Sequence, residues 1–456
     1  MHKLFFETAL TPDGWRDDVI VALQDGAIVA VETGVAPDAR RQAEAVGGVA
    51  VPGVGNLHSH TFQRGIAGLT ERRGTDDDHF WTWRDAMYRL SAALGPGDVE
   101  AIAAMAFVEM LEGGFTGVAE FHYLHHQPDG RPYADPAELA SRVAAAAEAT
   151  GIGLTLLPVF YAHGGFGGAA PTPGQRRFIC DLDGFCRIVE GARRAVKPLR
   201  GGTVGIAPHS LRAVTGDEIR GLEAAFTRGP VHIHIAEQTR EVEDCIAATG
   251  ARPVEWLLEH VGVDDRWCLV HATHMSADET LRLAASGAVA GLCPVTESDL
   301  GDGIFPATAF AGAGGRFGVG SDSNVLIGLA AELRTLEYSQ RLRDRARNRL
   351  AEPGASVGRA LFDRAVSAGA QALGHNAVRL EPGARADLVV LDPAHPALYG
   401  RRGDTVLDSW IFAAATSPVR DVIAGGRHVV RRGRHIDRER IEARYRRCID
   451  DVTSRA

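Results

Sequence analysis

The sequence predicts an α/β protein: a (β/α)8 barrel of the TIM type over residues 51–374, with a small β-sandwich domain built from both chain ends, residues 1–50 and 375–456. Three observations predict it. Between the ends, apolar runs of strand length alternate with Ala/Leu/Glu/Arg-rich segments of helical period, the pattern of parallel β/α units. Eight such runs occur in order, the number that closes a barrel. At both ends the helical period gives way to short alternating stretches broken by turn residues.

From Lys3 to about Val51, stretches such as "VIVALQDGAIVAVE", broken at Asp25-Gly26, read as hairpin strands. The barrel strands are "GVAVPGVGNLHSH", "FTGVAEFHY", "GLTLLPVFYA", "TVGIAPHS", "PVHIHIAE", "WCLVHAT", "AVAGLCP" and "RFGVGSDS". The glycine-rich "AHGGFGGAAPTPG" (Ala162 to Gly174) is a loop; without a G-K-[ST] ending it is no phosphate cradle, and it reads as a structural loop or an active-site flap. Late in the chain, "ARADLVVLD" and "VRDVIAGGRHVVRRG" return to strand and hairpin, so that the two ends can share one β unit.

With 456 residues, 45% of them hydrophobic, the chain can bury a large core. A formal charge of -9 gives no reason to expect nucleic acid as a partner. No run is long and apolar enough to span a bilayer, and "MHKLFFETALTPDGW" lacks the charged start and apolar core of a secretory leader. The six cysteines are scattered without a C-x-x-C pair, which reads as reduced thiols in the cytoplasm.

In a β/α barrel the chemistry gathers at the C-terminal ends of the strands. His58 and His60 end the first run, where residues two apart share a side; His234 with Glu237 ends the fifth, His271 the sixth and Asp322 the eighth. Any one of 18 histidines can be a hydrogen-bonded core or surface residue, but three or four imidazoles and a carboxylate at one barrel mouth form a suitable shell for a divalent cation. His232 shares a strand face with His234 but lies deeper, and is read as an interior residue. Trp81 and Trp83 in "HFWTWRDAMYR" are read as packing.

Together "PGVGNLHSH", "HIHIAEQ", "VHATH" and "GSDSN" resemble the amidohydrolase superfamily, metal-dependent hydrolases and deaminases on a β/α barrel. More narrowly, "NLHSHTFQRGIAGL", "FWTWRDAMYRL", "EFHYLHH", "APHSLRAV" and "HIHIAEQTREVEDC" are similar to the formimidoylglutamate deiminases of histidine degradation. One departure is Asp299 in "CPVTESDLGDG", where that family suggests Asn. The resemblance implies His58, His60, His234 and Asp322 as metal ligands, with zinc favoured over iron or manganese by three nitrogens and one oxygen. Binuclear relatives use a carboxylated lysine on the fourth strand. The two lysines here, Lys3 and Lys197, lie outside "TVGIAPHS", so one ion is expected.

A bound zinc brings the pKa of water down to about 7. Asp322 and His271 are then expected to orient that water and take its proton, and Glu237 to hand a proton to the leaving nitrogen. The implied substrate, N-formimidoyl-L-glutamate, is a small dianion whose carboxylates need cationic partners. Arg84 and Arg212 are the candidates, and the resemblance adds Gln63, Tyr123 and His209; it also implies a homodimer. Two other readings stand beside this one: a deaminase of a guanidine, purine or other ring, and a barrel that has lost catalysis and serves as a scaffold.

Overall fold

The computed structural model of the chain describes residues 1–73, 79–375 and 378–455. The terminal strands pair into one mixed sheet of nine. His2–Thr11 and Gly14–Gln24 form a hairpin, and Gly14–Gln24 turns into Ala27–Glu32 through Asp25 and Gly26, both at positive φ (51° and 83°). That is the two-residue turn whose twist matches the strands, and Asp-Gly adopts it at least cost. The chain ends meet where Val49–Pro52 lies parallel to His2–Thr11 and antiparallel to Leu388–Leu391. Strand alternation gives the sheet two apolar faces. Val51, Val389, Leu391 and Val422 join the main core, while Leu4, Phe6, Val21, Leu388 and Val390 form a separate core on the other side.

The run "GVAVPGVGNLHSH", read as one strand, is two. Val49–Pro52 belongs to the terminal sheet and Val54–Ser59 opens the barrel layer. The break falls at Gly53, where a Cβ would lie 2.3 Å from Thr116 Oγ1 and where Pro52 supplies no N–H. The range 375–456 also holds more than strands. Helices Thr405–Phe412 and Arg438–Arg455 bury Trp410, Ile441 and Cys448 in the main core, against the barrel helices.

The remaining barrel strands are Phe115–His122, Gly153–Phe160, the broken pair Thr203–Val204 and Ala207–Pro208, Val231–Ile235, Trp267–His271, Val289–Leu292 and Arg316–Val319. They form two parallel sheets, one holding the first four positions and one the last four, each in chain order. The sheets meet at both edges through isolated parallel bridges, Ile206 to Val231 and Ser210 to His234 on one side and Ser59 to Asp322 on the other. The arrangement is of the TIM-barrel type, with seams of single bridges in place of continuous ladders.

The helices between strands are amphipathic for the usual reason. Leu182–Val196 buries Phe185, Ile188, Val189, Ala192 and Val196, one stripe at helical spacing, and Asp181 caps its start by accepting from Gly184 N at 2.7 Å. Reciprocal caps, Thr215 with Glu218 and Ser276 with Glu279, start the helices after the fourth and sixth strands. These caps end the loop that carries Arg212 and the loop that follows His271.

Candidate active site

The first and eighth strands are tied together at their C-terminal ends, and that tie positions the ligand candidates. Asp322 N–H donates to His58 O (3.0 Å) and His60 N–H to Asp322 O (2.9 Å). Gly320 permits the approach, since a Cβ there would stand 2.7 Å from the backbone N and O of His58. Around this seam runs a buried polar network. Asn56 bonds Ser321 through both ends of its amide, Ser321 Oγ donates to Asn324 Oδ1 (2.6 Å), and Asn324 Nδ2 reaches Ser59 Oγ and the carbonyls of His60 and Asp322. Ala236, His271 and Asp322, at or beside strand ends, take positive φ (51°, 68° and 43°), a conformation costing roughly 1–3 kcal/mol for a side-chain-bearing residue. The backbone turns sharply where it delivers polar side chains.

His58, His60, His234 and Asp322 converge, their nearest ligand atoms all within 4.8 Å of one another and all four side chains buried. His58 Nε2 is 3.2 Å from His60 Nε2 and 3.0 Å from His234 Nε2; Asp322 Oδ1 is 3.3 Å from both His58 and His60. A tetrahedral cation with bonds of roughly 2.0–2.1 Å holds its ligands about 3.3 Å apart, so these separations are the edges of such a shell. His60 Nδ1–H donates to Phe121 O (2.9 Å), which turns the Nε2 lone pair inward. Burial holds His58 and His234 well below the usual imidazole range and His60 at about 3, with neighbouring imidazoles adding to the effect. Neutral imidazoles are what a cation needs. The residues fit a divalent metal.

Beside this set stand His271 and Glu237. His271 Nε2 lies 3.6 Å from Glu237 Oε1 and 4.0 Å from Asp322 Oδ2, and its Nδ1 lies 3.3 Å from Glu297 Oε1. Burial alone would lower the His271 pKa, but Glu237, Glu297 and Asp322 outweigh it and push it up to about 10. Glu237 is raised to about 7 by burial, held back by His271 and Arg212. A carboxyl near neutrality can both give and take a proton.

One cavity is lined by His60, His234, Glu237, His271 and Asp322 and by Gln63, Arg84, Tyr123, His209 and Arg212. The structure therefore brings every candidate except the deeper His58 to a common wall. Gln63 Nε2 donates to Tyr123 Oη (2.7 Å) and, among the described residues, its Oε1 has no partner; His209 leans on Tyr161 with centroids 4.4 Å apart and the rings tilted by 58°. Among the described residues the buried Nε atoms of Arg84 and Arg212 have no hydrogen-bond partner, and Arg212 stands 3.8 Å from Glu237 Oε2. His232 lies apart, with Nε2 donating to Ala372 O at 2.8 Å. Lys3 pairs with Glu32 in the terminal sheet and Lys197 caps the helix Leu182–Val196, both outside the barrel strands. Asp299 is exposed and lies outside the ligand set.

One aromatic assignment holds and gains a role, and one changes. Trp83 packs on the core and also lines the cavity. Trp81 is half-buried and carries guanidinium groups on its face instead of filling a core, with Arg84 4.4 Å from its ring. Sequence reading also missed Tyr88, Tyr161 and Phe178, which wall the cavity, and the buried Glu297, Asp302 and Asn56–Ser321–Asn324 group. Asn56 had a readable signal: it precedes His58 by two residues on a strand and shares its side. Glu297 sits on the short helix Pro294–Asp299 after the seventh strand and Asp302 in the irregular backbone beyond it; one and a half turns are too few for a period to point to either.

A metal-fitting shell of three imidazoles and a carboxylate at the strand ends of a TIM-type barrel defines a class, and comparison agrees with it. The chain belongs to the amidohydrolase family, whose description matches residues 49–429. Residues 1–43 match a second description, "Formimidoylglutamate deiminase HutF, N-terminal domain". The chain is 52% identical over 443 residues to the formimidoylglutamate deiminase of Pseudomonas aeruginosa, covering 96% of this chain and 97% of that one. A solved amidohydrolase from Brucella melitensis superposes with a TM-score of 0.95 at 53% identity, covering 99% of this chain and all of that one. A more distant relative is the 5-methylthioadenosine/S-adenosylhomocysteine deaminase of Halobacterium salinarum, 30% identical over 91% of this chain and 88% of its own.

Proposed function

We propose that the protein hydrolyses N-formimidoyl-L-glutamate to N-formyl-L-glutamate and ammonia, a step of histidine degradation. One observation carries this reading within the family: two arginines with unpartnered buried Nε atoms share a cavity wall with the metal-fitting shell. Guanidinium groups with donors to spare beside a hydrolytic centre suit a substrate with carboxylates, and waste their desolvation on a neutral ring.

His58, His60, His234 and Asp322 hold one divalent cation in this reading, zinc by the chemistry of the donors. When bound it supplies a Lewis acid and a water whose pKa falls to about 7. Arg84 and Arg212 take the two carboxylates, and Gln63, Tyr123 and His209 offer polar partners, so the amidine carbon is held toward the shell. His271, oriented by Glu297, and Asp322 steer the attacking water. Glu237 takes the first proton of the water and gives it to the imino nitrogen, then carries the second, from the hydroxyl that becomes the formyl oxygen, to the same nitrogen, which leaves as ammonia. Carbon gains one oxygen and loses one nitrogen, and the amide nitrogen of glutamate is untouched.

The finer architecture belongs to the same proposal. The eight strands close into a complete barrel, supported by bridges at both seams, and the terminal sheet curls into a sandwich around its own apolar core. Six free cysteines, no helix among the described residues long and apolar enough to cross a membrane, and a small dianionic substrate support a cytoplasmic enzyme without nucleic-acid or membrane partners. The reading includes a homodimer, for which light scattering of the purified protein is the test. Purified metal-loaded protein is expected to release ammonia and leave N-formylglutamate, identified by proton NMR. Formamide and glutamate as products would overturn the reaction.

A further inference from the structure

Outside Arg84 and Arg212 lies a second, open cavity bordered by Trp81, Arg84, Tyr161, Phe166, Arg212 and Arg240. It shares Arg84, Tyr161 and Arg212 with the inner cavity, so the two guanidinium groups stand between two spaces. Three guanidinium carbons lie over the Trp81 indole: Arg84 at 4.4 Å, Arg240 at 5.1 Å and Arg212 at 5.7 Å. Stacking on an aromatic face fixes a guanidinium flat and leaves its N–H edges free to donate. One wall is Gly164–Phe166 of the glycine-rich segment, folded tightly by Gly164 N–H donating to Ala169 O at 2.8 Å. Neither that segment nor Trp81 has a part in the reaction above.

The charges here are uneven. Asp85 and Asp244 also border the space, and Asp244 Oδ2 is 3.7 Å from Arg240 Nε. Both partners of that pair are more than half exposed (66% and 52%), so water screens it and Arg240 keeps most of its donors. Among the residues bordering the space, three guanidiniums stand against two carboxylates on a chain of net charge -9; Arg212 also faces Glu237 of the inner cavity, so the positive excess rests on Arg84 and the screened Arg240. Three like charges over one ring also repel one another, a cost that a visiting dianion relieves.

We propose that this outer cavity is a capture site for small dicarboxylates, with Arg240 and Trp81 as its outer wall. A dianion docks one carboxylate on the Arg240 edge beside Trp81, then passes inward to Arg84 and Arg212. Positive mouths of this kind raise the local concentration of anionic ligands and the rate at which they enter. The proposal rests on the dianionic substrate of the proposed reaction.

Two measurements test it. The first is equilibrium binding of glutarate, followed by tryptophan fluorescence in wild type, Trp81→Phe and Arg240→Glu. Wild type is expected to respond saturably, Trp81→Phe to lose most of the signal, and Arg240→Glu to bind about fivefold or more weakly at low salt. The second is kcat/KM for ammonia release against ionic strength. Arg240→Glu is expected to lower kcat/KM by about five- to twentyfold in dilute buffer, with the loss in KM, and to approach wild type near 0.5 M salt as screening sets in. Asp244→Asn moves the opposite way, and Arg240→Lys keeps the salt dependence. Equal glutarate affinity in wild type and Arg240→Glu, or equal low-salt kcat/KM, would overturn the capture site. Should wild type release no ammonia from N-formimidoyl-L-glutamate, the reaction assignment falls, while the glutarate titration still decides the site.

Discussion

Replacing Glu297 with Gln separates charge from packing at His271, the candidate water-steering residue. Glu297 is 5% exposed; its Oε1 lies 3.3 Å from His271 Nδ1 and accepts from Cys293 N–H at 2.9 Å. A glutamine carbonyl can accept from both donors, so Glu297→Gln keeps the hydrogen bonds and removes one negative charge. At an effective dielectric of about 20, a charge pair at that distance interacts by roughly 5 kcal/mol before desolvation is subtracted. A charge-assisted hydrogen bond nets about 1.5–3 kcal/mol, or a factor of roughly 10 to 150. Steady-state ammonia release is therefore expected to show kcat about 30-fold lower, with KM within about twofold because Glu297 borders no part of the substrate cavity. Metal content, measured in parallel, stays at the wild-type level. A kcat within threefold of wild type, or metal loss matching the activity loss, would refute the role.

Other perturbations give distinct signatures. Arg84→Met and Arg212→Met each are expected to lower kcat/KM by about 30-fold or more with unchanged circular dichroism, because each strips a carboxylate of a buried charged partner; near-normal kinetics in either would point to a neutral substrate. Glu237→Gln is expected to lower kcat by at least about a hundredfold while stabilising the fold at pH 8. The sign follows from linkage: the folded pKa of about 7 exceeds the usual 4.5, so the folded state binds the extra proton and the group's contribution falls as pH rises from about 4.5 to 7. Differential scanning fluorimetry at pH 5 and pH 8 checks it, and a variant with a lower melting temperature at pH 8 would reverse the sign. Asn324→Ala is expected to cost about 1–3 kcal/mol by stranding the buried Ser321 hydroxyl and nearby carbonyls, and to weaken metal binding about tenfold or more; denaturant melts and metal competition read both, and unchanged values in each would show that the seam network does not position the shell.

Features that carry a period or close a strand are legible in the amino-acid sequence. His58 and His60 announce themselves because strand residues two apart share a side, and Asp25-Gly26 because both residues accept positive φ. The strand boundary at Gly53 is hidden inside a continuous apolar run, since a close backbone approach to Thr116 leaves no mark on hydrophobicity. Trp81 looks like packing because an aromatic on an amphipathic helix usually is; its role as a platform depends on Arg212 and Arg240, more than a hundred residues away in sequence. Glu297 and Asp302 stay silent for a related reason. A carboxylate on a short helix or in the loop after it is ordinarily solvated, and only the tertiary fold sets Glu297 against His271 and lets Asp302 accept from the Gln238 amide, its carboxyl pushed up to about 9 by burial.

The measurement closest to the centre of this reading is metal content by plasma mass spectrometry, on protein purified without chelator, for wild type and for His234→Ala. His234 Nε2, 3.0 Å from His58 Nε2, lies on a different strand from the other imidazoles, so its loss opens the shell without touching the seam between the first and eighth strands. About one equivalent of a divalent metal, chiefly zinc, per chain in wild type and a small fraction of that in His234→Ala is the expected result. Wild-type protein that takes up no stoichiometric metal when zinc is supplied, or a His234→Ala variant that holds as much as wild type, would contradict it.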